Sequence, residues 1–95
     1  MKYTKYTGYP KLKWVDTATE EEQLEQVKEE FAELLEVMQG SVEIKVEEAH
    51  DLCQSVTTLI RIICKNNSLN YQKTVKKCVE KGISRNGKRS ERHGE

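Results

Sequence analysis

Ninety-five residues, a third of them charged and balanced to zero net charge, make one small domain with no global pull toward nucleic acid or a membrane surface. No run of about twenty apolar residues is present, so no membrane span is expected, and the Tyr- and Lys-rich start (Met1, Lys2, Tyr3, Lys5, Tyr6) lacks the apolar segment of a signal peptide. A single proline and five glycines suit an all-α chain.

Residues 1–16 read as an N-terminal arm, with Tyr3, Tyr6 and Tyr9 recurring around Gly8 and Pro10. Trp14 and Val15 then offer an apolar anchor, either packed over the bundle end or stacked near a nucleobase. Thr19-Glu20-Glu21-Glu22 is a capping box that starts a first helix, with an acidic first turn suited to the helix dipole. The helix is expected to run to about Met38, with Gly40 as its C-terminal stop. Ser41 caps a second helix reaching about Lys65; the β-branched stretch Val56 to Cys64 has a three-four periodicity that favours helix over strand. Asn66-Asn67-Ser68 interrupts, and Ser68 or Asn70 caps a third helix to about Lys81, with Gly82 at its end. Residues 17–85 thus form the helical domain, and 86–95 a polar basic tail expected to be disordered.

Cys53, Cys64 and Cys78 are odd in number and lack zinc-type spacing, so they read as small buried or half-buried thiols in a reducing, cytoplasmic setting. The basic residues of the third helix and tail, including Lys73, Lys76 and Arg89, carry no interleaved aromatic platform, and no stable nucleic-acid partner is expected. Lys81 and Arg85, at the end of the helix, could fold back toward acidic residues.

The chemistry concentrates in two acidic pairs. Glu30 and Glu33 are three residues apart, as are Glu48 and Asp51, and on a helix such residues share a face with Cβ atoms roughly 5–6 Å apart. Leu24, Val27, Phe31, Leu34, Leu35 and Met38 form the first core-facing stripe, with Glu30 and Glu33 at its edge. Leu52, Val56, Leu59, Ile60 and Ile63 form the second; Glu48 falls within it and Asp51 flanks it. Lone buried carboxylates are costly. Four converging on neighbouring antiparallel helices repel unless a hard divalent cation with oxygen ligands sits among them. With a basic rim opposite, the matching ligand is a nucleotide polyphosphate.

Glu29-Glu30-x-x-Glu33 followed by Glu48-x-x-Asp51 resembles the EExxE…ExxD signature of MazG-like nucleoside triphosphate pyrophosphohydrolases, within the all-α NTP pyrophosphatase group; the similarity runs from about Leu24 to Arg85. The resemblance implies a helical hairpin plus third helix, assembled into an oligomeric four-helix-bundle core as a homodimer or homotetramer. It implies Mg²⁺-dependent cleavage (Mn²⁺ as a substitute) of an NTP or dNTP between the α and β phosphates, giving the monophosphate and pyrophosphate. Glu30, Glu33, Glu48 and Asp51 would hold metal, and Glu29 would stand in the outer shell or orient water. Lys81 and Arg85 match the lysine and arginine of short phage-type members, and Trp14 joins them as a substrate-binding candidate. Where longer relatives carry Lys-x-x-Lys-Asn, this chain has Cys78, Lys81 and Gly82, leaving Lys77 as the substitute for the first lysine. The competing readings are a non-enzymatic helical dimerisation or regulatory module, and a degenerate member that binds nucleotide without efficient hydrolysis.

Overall fold

The computed structural model describes residues 11–93, with side chains through residue 86; the tyrosine-rich segment 1–10 lies outside the described residues. A short 3-10 turn, Lys13–Asp16, precedes three helices: α1 (Glu20–Glu36), α2 (Val42–Asn66) and α3 (Tyr71–His93). No strand occurs among the described residues. The all-α expectation stands, including the β-branched stretch Val56 to Cys64, which is helical throughout.

Local signals account for the helix starts. Thr19 Oγ1 accepts from the Glu22 amide at 3.0 Å, and Glu22 Oε1 accepts from the Thr19 amide at 2.9 Å, completing the capping box. A cap of this kind contributes about 1 kcal/mol. Ser41 Oγ accepts from the Ile44 amide at 3.2 Å, and Asn70 Oδ1 from the Lys73 amide at 2.9 Å. Asn70, of the two candidates, therefore caps α3. Ser68 instead takes the left-handed conformation that ends α2, with φ 55°, while the Leu69 amide reaches back to the Cys64 carbonyl at 2.8 Å.

Two glycines behave differently from expectation. Helix α1 ends at Glu36, and Gly40 donates to the Val37 carbonyl at 2.8 Å in the turn that follows. A Cβ at Gly40 would come within 3.1 Å of both that oxygen and Ile44 Cγ2, so close approach is what this glycine permits. Gly82 does not stop α3, which continues to His93. Nothing lies within 4 Å of where its Cβ would stand. A glycine inside a helix costs only about 1 kcal/mol, which the favourable residues around it can absorb.

Helices α1 and α2 form an antiparallel hairpin through the short connection 37–41. Bonds along the seam fix its register: Asn66 Nδ2 donates to Glu20 Oε2 (3.3 Å), and Gln23 Nε2 to the Ser55 carbonyl (2.9 Å). The seam on α1 is Gln23, Val27, Glu30 and Leu34, continued by Val37 at its C-cap; on α2 it is Lys45, Glu48, Leu52, Ser55, Leu59 and Ile62, all buried or half-buried. Both rows step by three and four, the spacing of helices crossing at a shallow angle. The apolar stripe expected on α1 therefore splits. Val27 and Leu34 face α2, whereas Leu24, Phe31, Leu35 and Met38 remain exposed. On α2, Val56, Ile60 and Ile63 likewise stay on an outer row.

The turn at Lys13–Asp16 closes the open end of the hairpin. Val15 is fully buried there, and its carbonyl accepts from Lys65 Nζ at 2.7 Å. Helix α3 packs against α2 and, among the described residues, not against α1. Arg61 on α2 stacks over the Tyr71 ring at 4.0 Å, joining α3 to the hairpin. The radius of gyration is 15.5 Å. A compact domain of this length has about 12 Å, so the chain is an open arrangement rather than a closed globule.

Candidate functional site: a carboxylate cluster in the hairpin seam

The seam is polar where an ordinary helical hairpin would be apolar. Buried residues among those described include Gln23, Ser55 and Thr58 beside Val15, Ile62 and Cys64. Two turns further along, Glu30 and Glu48 occupy seam positions opposite each other, which places the two carboxylates where leucines would ordinarily meet.

Glu30, Glu33 and Glu48 each offer a carboxylate oxygen, and these lie within 4.8 Å of one another. Glu30 and Glu48 are half-buried and Glu33 is exposed. One oxygen of each seam carboxylate, Glu30 Oε2 and Glu48 Oε2, is buried without a hydrogen-bond partner. Glu30 Oε1 accepts from Gln26 Nε2 at 3.0 Å. The Glu30 carboxyl is held above the ordinary glutamate range, first by burial and then by the neighbouring Glu33 charge; Asp51 adds to the rise and the Gln26 hydrogen bond opposes it. The three clustered carboxylates repel one another, and their donor atoms are all hard oxygens.

Asp51 joins the group from α2 through its effect on Glu30 and lines the same cleft, with its exposed carboxylate 3.7 Å from His50 Nδ1. Glu29 is exposed and is not among the clustered ligands. Trp14, half-exposed, borders a cleft of about 190 Å³ that reaches Glu30 and Asp51. Lys77, Lys81 and Arg85 lie exposed on α3, and Lys81 and Arg85 line a separate recess with Cys78 and Ser84. Because α3 packs only on α2 among the described residues, Lys81 and Arg85 do not fold back onto the acidic pair. Of the three free cysteines only Cys64 is buried; Cys53 and Cys78 are exposed.

Gln23, Gln26 and Gln54 belong to the site and were not singled out from the sequence. Glutamines on charged helices attract no notice; the available signal was Gln23 falling in the three-four row that continues through Val27 and Glu30.

No protein-family model matches this chain, and no curated protein or solved structure matches it. No helix among the described residues is long and apolar enough to cross a membrane.

Proposed function

We propose that this protein is a divalent-cation-dependent nucleotide pyrophosphohydrolase, converting an NTP or dNTP to its monophosphate and pyrophosphate. The observation that carries the reading is the facing pair Glu30 and Glu48, each with a buried, unpartnered oxygen, inside a three-carboxylate cluster. A stable fold tolerates such groups where a ligand completes them.

Glu30, Glu33, Glu48 and Asp51 would hold Mg²⁺, with Mn²⁺ able to substitute. A magnesium ion bound there neutralises phosphate charge and acidifies a water molecule. The remaining work belongs to the chain. The rigid hairpin holds its carboxylates in place, so little reorganisation accompanies reaction. Glu29, one residue from Glu30 and open to solvent, is the group assigned to orient water toward the α-phosphorus. Lys77, Lys81 and Arg85 supply cations for the departing phosphates.

Those cations are absent from the cluster of a single protomer, which favours an assembly of two or more copies. Two outer rows support the same conclusion: Leu24, Phe31 and Leu35 on α1, continued by Met38 just beyond it, and Val42, Val46, Val56, Ile60 and Ile63 on α2, each in heptad spacing and each exposed. A second hairpin packed on these rows gives a four-helix bundle and brings a second basic α3 into the assembly.

The outer rows alone would fit a non-enzymatic dimerisation module equally well. That alternative leaves the polar seam unexplained. The deciding experiment measures pyrophosphate release from a panel of NTPs and dNTPs with Mg²⁺, beside Glu48→Ala. Release by the wild type only establishes the hydrolase. Silence across the panel, without Mg²⁺-dependent stabilisation, establishes the helical module.

A further inference from the structure

The cleft beside the carboxylates has a wall whose position is set by a residue with no other evident task. Gln23 is 3% exposed, and both ends of its amide are committed. Its Oε1 accepts from the Trp14 indole Nε1–H at 3.2 Å, and its Nε2 donates to the Ser55 carbonyl at 2.9 Å. Trp14 itself is 47% exposed and sits on a short turn, so burial does not fix its ring. The Gln23 amide does, by linking the indole through α1 to the backbone of α2. Val15, the neighbour of Trp14, is clamped by Lys65 from the same helix.

We infer that Gln23 is a positioning residue for nucleobase recognition: it holds Trp14 as the stacking wall of a cleft in which Gln54 and Gln26 read the edge of the base. This rests on the nucleotide pyrophosphohydrolase reading above and names the part of the substrate that the cleft receives. Three features point to a base. The indole offers a flat apolar face to stack on. Gln54 carries a donor and an acceptor, the complement of a base edge, and Gln26, whose Nε2 donates to Glu30, keeps its amide oxygen as an acceptor. The cleft, at about 190 Å³, is smaller than pockets that enclose whole ligands, so it takes one ring system and leaves the phosphates outside. Glu30 and Asp51 line the same cleft as Trp14, so a base stacked on the indole would leave its phosphates close to the carboxylate cluster.

Trp14 is the only tryptophan in the chain, so its fluorescence reports on this cleft alone. The test titrates nucleoside monophosphates and, separately, inorganic pyrophosphate into wild type, Gln23→Met and Gln54→Ala. Gln23→Met keeps the side-chain length and loses both hydrogen bonds. In the wild type at least one monophosphate is expected to change Trp14 emission saturably, and pyrophosphate alone is not. In Gln23→Met the emission should shift to the red, monophosphate binding should weaken roughly tenfold, and KM should rise with kcat held within about twofold. Gln54→Ala should change the preference among bases and leave emission as in wild type. Trp14→Phe keeps the ring and loses the indole donor; it should weaken monophosphate binding, measured calorimetrically, and it decides the matter should Gln23→Met not fold. The inference is overturned if no monophosphate perturbs Trp14, or if folded Gln23→Met and Trp14→Phe both bind as wild type. The two readings fail separately. Base binding without hydrolysis removes the hydrolase and leaves the cleft, whereas hydrolysis with an unresponsive Trp14 does the reverse.

Discussion

Glu30 on α1 and Glu48 on α2 face each other across the hairpin seam, each with one buried oxygen that no donor satisfies. An unsatisfied buried polar atom costs about 1–3 kcal/mol, so the hairpin carries a local cost where the two carboxylates meet.

Relieving that cost should stabilise the empty protein. Glu48→Gln is expected to raise the metal-free melting temperature by several degrees, the shift given by roughly 1 kcal/mol in a domain of this size. The same substitution should abolish the rise in melting temperature that Mg²⁺ gives the wild type. Differential scanning fluorimetry with Mg²⁺ or EDTA measures both. A variant that melts lower without metal would count against a repelling cluster.

The pH dependence follows from Glu30. Its folded pKa is raised, so the native state keeps this proton to higher pH than the unfolded chain does. The stability this lends is fully present below the unfolded value, about 4.3, and is lost as pH rises through the folded pKa. Metal-free protein should therefore show a contribution that grows on acidification from neutral pH, and Glu30→Gln should remove it. With Mg²⁺ present the trend should reverse, since metal and proton compete for one carboxylate. Melts across mildly acidic pH, with and without metal, read this directly.

The exposed heptad rows predict self-association. Phe31→Asp or Ile60→Asp, at the middle of each outer row, should convert the assembly to monomer in sedimentation velocity while leaving helicity intact. Both side chains are already exposed in the protomer, so the cost falls on the interface.

Ser68 gives a prediction about the fold alone. At φ 55° a serine carries strain of order 1 kcal/mol that glycine does not. Ser68→Gly should raise the unfolding free energy by that amount, seen as a higher denaturation midpoint with the slope unchanged, and pyrophosphate release should stay as in wild type.

Lys81→Ala and Arg85→Ala test the phosphate-holding role. Both side chains are exposed, so stability should hold within about 0.5 kcal/mol. Pyrophosphate release should fall at least tenfold in kcat/KM if these cations meet the departing phosphates. Unchanged kinetics would remove α3 from the site.

Helix positions in this protein are written locally. Thr19 with Glu22, Ser41 and Asn70 each name a helix start through a bond that spans three residues, so their chemistry needs no tertiary partner. The i, i+3 pairs Glu30/Glu33 and Glu48/Asp51 are equally local, and the sequence by itself put each pair on one helical face. Periodicity defines faces, however, and not which face is covered. On α1 the rows through Val27 and through Phe31 are both apolar, and only packing against α2 selected the more polar one, with Gln23 and Glu30 in it. That choice created the carboxylate cluster and gave Gln23 its hold on Trp14. The direction of α3 was a tertiary matter too: Arg61 stacked on Tyr71 ties the helix to α2, and a side-chain contact ten residues apart in sequence leaves no periodic trace.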